Sequence, residues 1–185
     1  MKTVFLDRDG VINKDPGGWT KYNYVTTPDE FQFLPGSLGA IKKLSENDFR
    51  IIVVSNQAGV AKGYFTEAAL DRITSLMLRR IEESGGTIEK VYYCVHRNED
   101  NCDCRKPKEG LIIRAAEEYS IDLSDCVMIG DGASDITAGK KAGLTTVLVL
   151  SGKSTAEDAG SWSEKPDYIF KDLREAADWL IQEGR

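Results

Sequence analysis

Four aspartates carry the most pointed chemistry in the sequence. Asp7 and Asp9 follow one short apolar run, in Asp7-Arg8-Asp9-Gly10. Asp131 and Asp135 follow another, in Gly130-Asp131-Gly132-Ala133-Ser134-Asp135. A third apolar run ends in Ser55-Asn56-Gln57. If the three runs are neighbouring strands, all these residues share one rim, where ligands of open α/β sheets collect. Four carboxylates in a small volume repel one another and raise their own pKa values. A hard divalent cation with oxygen ligands removes that conflict, and Mg²⁺ is the usual choice beside phosphates. Taken singly, each aspartate reads as an ordinary turn or helix-cap residue. The ordered set at three strand ends reads as a site.

A second cluster is softer. Cys94, His96, Cys102 and Cys104 place three thiols and one imidazole in a single polar stretch. That donor set suits a closed tetrahedral Zn²⁺ site. Alone, Cys94 would be a buried core thiol and His96 a surface loop residue. Four protein ligands leave no open position, so the expected zinc is structural. It would pin the loop from Arg97 to Asn101 and present Arg105 and Lys106 to the rim. Cys126 opens an apolar run and reads as plain core.

The single histidine excludes metal centres with several histidine ligands, and no cysteine has an arginine six positions later, as a cysteine-phosphatase loop would need. Gly152-Lys153-Ser154 has the tail of a P-loop, but Val147 stands where its first glycine belongs. Asp135 likewise occupies the third glycine position of a dinucleotide fingerprint. Both segments read as ordinary loop.

The elements that must position these residues alternate along the chain. Strands are predicted at 4–6, 51–54, 91–93, 127–129, 146–150 and 168–170, the last at an edge. The run at 51–54 is continuously β-branched, as in a strand buried on both faces. Helices are predicted over 38–45, 67–81, 111–119, 135–142 and 173–181, with Thr66 opening the second and Pro107 placed to start the third. This alternation predicts an α/β fold, a Rossmann-like parallel sheet with helices on both faces. Two long loops remain, 14–30 and 151–165, and loops of that length are commonly functional or mobile.

The chain has 185 residues, which fits one domain over 1–185. Its 24 Lys+Arg against 30 Asp+Glu give a formal charge of −6, which argues against nucleic acid as a partner. No apolar run approaches the roughly 20 residues of a membrane span, and the first ends at Asp7, so no signal peptide is expected. The expected protein is cytoplasmic and monomeric, with no membrane partner.

Asp7-x-Asp9-Gly10, Ser55-Asn56, Lys106-Pro107 and Gly130-Asp131-x-x-x-Asp135 together resemble the four ordered motifs of the haloacid dehalogenase superfamily. The resemblance spans most of the chain. It implies Mg²⁺-dependent hydrolysis of a phosphomonoester through an aspartyl-phosphate intermediate. Asp7 would be the nucleophile, and Asp9 the acid and base, aimed the same way by strand alternation. Mg²⁺ would sit on the Asp7 carboxylate, the Asp9 main-chain carbonyl and Asp131. Ser55, the Asn56 amide and Lys106 would hold the phosphate. For Asp135 three roles stay open: outer-shell cation partner, Lys106 partner, or helix N-terminal residue.

The zinc loop running into Cys104-Arg105-Lys106-Pro107 is similar to the branch holding histidinol-phosphate phosphatases and D-glycero-D-manno-heptose 1,7-bisphosphate phosphatases. The stretch from Ser55 to Phe65 is nearest the heptose members. Three features depart from them: Lys62 where Arg is common, Gly132 where a Lys is frequent, and a longer 14–30 loop. The intervals Asp7–Ser55 and Ser55–Lys106 are filled by core elements, so no cap domain fits. Substrate choice then falls to loops, with Asn56, Gln57, Arg105 and Asp15 as substrate-binding residues. Trp19, Tyr22 and Tyr24 either pack the long loop or touch substrate. The expected substrate is a small phosphorylated metabolite, foremost the heptose bisphosphate, with histidinol phosphate as alternative. A zinc-stabilised binding protein without activity and a polynucleotide-end phosphatase are the competing classes. The intact motif set disfavours the first; the charge and the failed P-loop disfavour the second.

Overall fold

The computed structural model describes residues 2–183. Six strands form one all-parallel sheet: β1 (Thr3–Leu6), β2 (Arg50–Asn56), β3 (Lys90–Cys94), β4 (Val127–Gly130), β5 (Thr145–Val149) and β6 (Tyr168–Phe170). Their order is β3-β2-β1-β4-β5-β6. The chain walks outward from β1 through β2 to β3, then returns to β4 on the other side of β1 and walks outward again. The reversal lies between β1 and β4, which is where doubly wound sheets open a crevice at the strand carboxyl ends.

Among the described residues, six α-helices flank the sheet: α1 (Ser37–Glu46), α2 (Glu67–Glu83), α3 (Gly110–Tyr119), α4 (Ala133–Lys141), α5 (Ala156–Ser161) and α6 (Leu173–Gln182). Side-chain alternation along the strands divides the core. Val4, Leu6, Ile51, Val53, Ile129, Val147 and Val149 pack with α1, α2 and α6. Phe5, Ile52, Val54 and Met128 pack with α3 and α4 on the opposite face. The strands are apolar on both faces because both are covered.

Every predicted strand and helix is present, β6 with the predicted ends and the others with ends shifted. The Thr66 hydroxyl caps α2 by accepting from the Ala69 N–H at 3.1 Å. Pro107 does not start α3: the helix begins at Gly110, and Lys106–Pro107 is a cis peptide within a turn. The expected 151–165 loop contains α5, capped by Thr155 and Asp158. The 14–30 loop carries turns and a 3-10 segment, Pro28–Glu30. Between β1 and β2 the only helices are that segment and α1, and between β2 and β3 only α2. Among the described residues, no helix is long and apolar enough to cross a membrane.

Candidate active site

β1 lies between β2 and β4, so their three carboxyl ends abut. The Asp7 N–H still donates to Ile129 O of β4 at 3.0 Å, which fixes the nucleophile candidate on the sheet. Beyond it the chain turns sharply, and Arg8 O accepts from the N–H groups of Val11, Ile12 and Asn13. Asp9 is therefore off the strand, and strand alternation does not aim it, contrary to expectation. Side chains do. Arg8 makes a two-pronged contact with its carboxylate at 3.0–3.2 Å, Asn13 Nδ2 donates at 2.8 Å, and Gln57 Nε2 donates at 2.8 Å.

The carboxylates of Asp7, Asp131 and Asp135 converge, one oxygen of each lying within 4.8 Å of the others. Lys106 Nζ balances them, 3.0 Å from Asp7 and 2.6 Å from Asp135, while donating to Val54 O at 2.7 Å. Burial alone would raise the Asp7 pKa, but the Lys106 charge and hydrogen bond outweigh it and hold Asp7 below the ordinary value. Burial would lower Lys106, yet Asp135 and Asp7 push it up and keep it charged. Burial and the neighbouring Asp135 raise Asp131 to about 7. Burial raises Asp135 too, against the pull of Lys106. Asp131 Oδ1 is buried without a hydrogen-bond partner. A buried, unpartnered carboxylate oxygen beside two more carboxylates fits a hard divalent cation.

Asp135 fills two of its three open roles at once. It pairs with Lys106, and from the first turn of α4 its Oδ2 accepts from the Gly132 N–H at 3.1 Å. Gly10, with φ +84°, lets the first loop pass against Asp131, where a Cβ would collide with that carboxylate.

Of these groups, Asp7 and Lys106 line a cavity of about 650 Å³, while Asp131 and Asp135 lie outside its lining. Asp7, Asp9, Ser55, Asn56, Lys106, Arg105 and Asp15 all line it. The Asn56 side chain bridges to the Lys106 loop, donating to Lys106 O at 2.9 Å and accepting from its N–H at 3.1 Å. Asp15 Oδ1 accepts from the Gly17 N–H, and Arg105 donates to Asn98. Gln57, expected at the substrate, is fully buried and absent from the lining; its amide serves Asp9 and Ser55 instead. Tyr24 lines the cavity and packs on Phe65, Tyr22 stacks on Tyr64, and Trp19 Nε1 donates to Asp15 O.

Several residues at the site were not singled out from the sequence. Arg8 is wholly buried, with Phe31 and Tyr93 near its guanidinium at 6.0 and 5.7 Å. Asn13, Asn23 and Arg97 also hold or line the site. Lys153, read as ordinary loop, lines the cavity beside Asp131. Its sequence signals were its place in the long 151–165 loop and the tail of the failed P-loop.

At the end of β3 and in the loop after it, Cys94, His96, Cys102 and Cys104 bring four ligand atoms within 4.8 Å of one another. Cys94 and Cys102 sulfurs are 3.6 Å apart, Cys102 and Cys104 3.5 Å, and His96 Nδ1 lies 3.2 Å from Cys104. Sulfurs around one tetrahedral zinc stand about 3.8 Å apart, so the cluster fits such an ion. Arg105 reaches back to His96 O, tying the loop to the cavity wall.

A model of HAD-hydrolase-like proteins matches residues 103–176. The D-glycero-beta-D-manno-heptose-1,7-bisphosphate 7-phosphatase of Bordetella bronchiseptica is 36% identical over 184 residues, covering 100% of both chains. The same enzyme of Pseudomonas putida is 39% identical over 181 residues, covering 98% of this chain and 100% of its own. The crystal structure of the B. bronchiseptica D,D-heptose 1,7-bisphosphate phosphatase, complexed with magnesium and phosphate, superposes with a TM-score of 0.90 at 36% identity and 99% coverage of each chain. A parallel sheet whose switch-point rim carries lysine-balanced carboxylates is a haloacid dehalogenase architecture. The chain belongs to that superfamily, in the group formed by these full-length relatives.

Proposed function

We propose that the protein is a Mg²⁺-dependent phosphatase that removes the 7-phosphate of D-glycero-β-D-manno-heptose 1,7-bisphosphate. One observation carries the reading: an Asp7 carboxylate held ionised by Lys106 on the floor of a cavity whose other cations, Arg97, Arg105, Lys108, Lys141 and Lys153, line its walls. The naming and full-length similarity of the relatives support the substrate.

Asp7 attacks phosphorus and forms an acyl phosphate, and the sugar alkoxide departs with a proton from Asp9. Asp9 then takes a proton from the water that attacks the phosphoryl group, returning Asp7 as a carboxylate. Arg8, Asn13 and Gln57 fix where that proton is given and taken. Ser55 and Lys106 hold phosphoryl oxygens. Mg²⁺ on Asp7, the Asp9 carbonyl and Asp131 would neutralise charge between nucleophile and phosphate. Zn²⁺ on Cys94, His96, Cys102 and Cys104 would be structural, holding Arg105 at the wall.

Arg105, held at the wall by Asn98 and His96 O, keeps guanidinium N–H groups that can pair with the phosphate that does not react. Histidinol phosphate offers a cationic amine there, which these cations repel. The test is kcat/KM for both compounds in the native protein and in Arg105→Ala. The heptose bisphosphate should lead by at least about tenfold, or roughly 1.4 kcal/mol, and the variant should shrink that lead. Equal or reversed preference would move the assignment to histidinol phosphate.

A further inference from the structure

Two ammonium groups face the carboxylate cluster, and they are built differently. Lys106 is buried, and its Nζ lies within 3.0 Å of Asp7, Asp135 and Val54 O. Lys153 comes from the loop after β5, and its side chain is 56% exposed. Its Nζ is 3.7 Å from Asp131 Oδ1, too far for a hydrogen bond. Only its backbone is fastened: the Lys153 N–H donates to Asp131 Oδ2 at 2.9 Å, and the Ser151 hydroxyl donates to Gly10 O at 2.8 Å. The anchored loop leaves the side chain free to turn.

Two glycines make this approach possible. A Cβ at Gly152 would strike the Asp131 carboxylate. A Cβ at Gly132 would lie 2.6 Å from Lys153 Cε and 3.2 Å from its Nζ. Gly132 therefore clears the path along which Lys153 reaches Asp131.

We propose that Lys153 is a positioning residue shared between the cation and the phosphate: it opposes a divalent cation at Asp131, and the cation turns its ammonium toward the bound phosphoryl group. The inference rests on the phosphatase reading for the identity of that anion. An ammonium and a divalent cation on one carboxylate repel steeply at this separation. The side chain lines the cavity, so its way out leads to the ligand. Cation and phosphate then favour each other through one side chain, a coupling that acts in both directions.

The experiment measures binding to purified, zinc-loaded protein by calorimetry, with Mg²⁺ alone and then with inorganic phosphate at saturating Mg²⁺. Lys153→Met should bind Mg²⁺ about fivefold more tightly and phosphate about tenfold more weakly. Lys153→Arg should stay near native in both. Gly132→Ala, which presses on Lys153, should shift both in the direction of Lys153→Met. With heptose bisphosphate, KM should rise more than kcat falls. Unchanged or weaker Mg²⁺ binding in Lys153→Met overturns the proposal, as does unchanged phosphate binding. Native protein that binds Mg²⁺ and phosphate but hydrolyses no phosphomonoester overturns the phosphatase reading, while the binding arms still decide the role of Lys153. Native protein that binds no Mg²⁺ overturns both.

Discussion

The two ligand clusters differ in what balances their charge. Asp7, Asp131 and Asp135 sit on the ends of central strands and α4, and they meet two lysines already in place. Cys94 ends β3, His96, Cys102 and Cys104 sit in the loop after it, and the four side chains mostly contact one another. Burial raises the Cys104 thiol to about 12, with Cys94 and Cys102 adding to the rise, whereas Cys102 is lowered to about 7 despite its burial, by hydrogen bonds from Cys104 and Cys94. Such a group shares little negative charge until a metal collects it. The acidic cluster can therefore gain and lose its cation while the sheet stands. With zinc bound, the thiol cluster would depend on that ion for its shape, because ion binding at such sites is largely folding energy.

The largest expected effect breaks the acidic side of this contrast without touching the fold. Asp7→Asn is nearly isosteric but removes the proposed nucleophile and a proposed cation ligand. Turnover should fall by more than about 10⁴-fold, with thermal stability close to native. Asp9→Asn should cost about 10²–10⁴-fold, the range of general acid–base help. Steady-state kinetics beside a thermal melt measures both. Near-native turnover in Asp7→Asn would rule out the aspartyl-phosphate mechanism.

The next effect breaks the soft side. Metal analysis should find about one zinc per chain, and Cys102→Ser should lower it. Stability should drop by several kcal/mol, and activity should suffer second, through a displaced Arg105 and a raised KM. Zinc-free protein as stable as the zinc-loaded form would show the cluster to be an ordinary thiol group.

The same contrast explains what could be read from residues alone. Apolar runs such as Ile51–Val54 announce strands because both faces of the sheet are covered. Closely spaced thiols announce their cluster, since one loop supplies three of its four ligands. The acidic rim was legible as three strand ends, yet the aim of its side chains was not. Asp9 is turned by Arg8 and Asn13, which the turn after Asp7 brings together, and by Gln57 from just beyond the end of β2. Lys153 reaches Asp131 only because loop closure joins Ser151 to Gly10, far apart in the chain. The short helix α5 buries only Ala159, so it has no apolar period to show. Pro107 misled because a preference for first helical turns cannot tell a helix start from a tight turn just before one.

The smallest effect sharpens the comparison through pH. Burial and Asp135 raise Asp131 to about 7, from the 3.8 of an unperturbed aspartate. Between those values the folded protein holds a proton that the unfolded chain has released. Stability then falls as pH rises through that window, by at most about 1.4 kcal/mol per pH unit for one proton. Asp135 is shifted the same way, while Asp7 is shifted down and acts only below its ordinary range. Without added Mg²⁺, zinc-loaded protein should therefore melt at a lower temperature at pH 7.5 than at pH 5. Mg²⁺ needs Asp131 deprotonated, so its stabilising effect should be larger at pH 7.5 and should flatten the profile. Asp131→Asn should remove most of the slope and most of the Mg²⁺ response together. The thiol cluster should show the opposite dependence on acid, since zinc leaves as its thiolates are protonated. A melting temperature independent of pH from 5 to 7.5 in native protein without Mg²⁺, with zinc content constant across that range, would mean that the lysines already balance the acidic cluster completely, and that no carboxylate there waits for a cation.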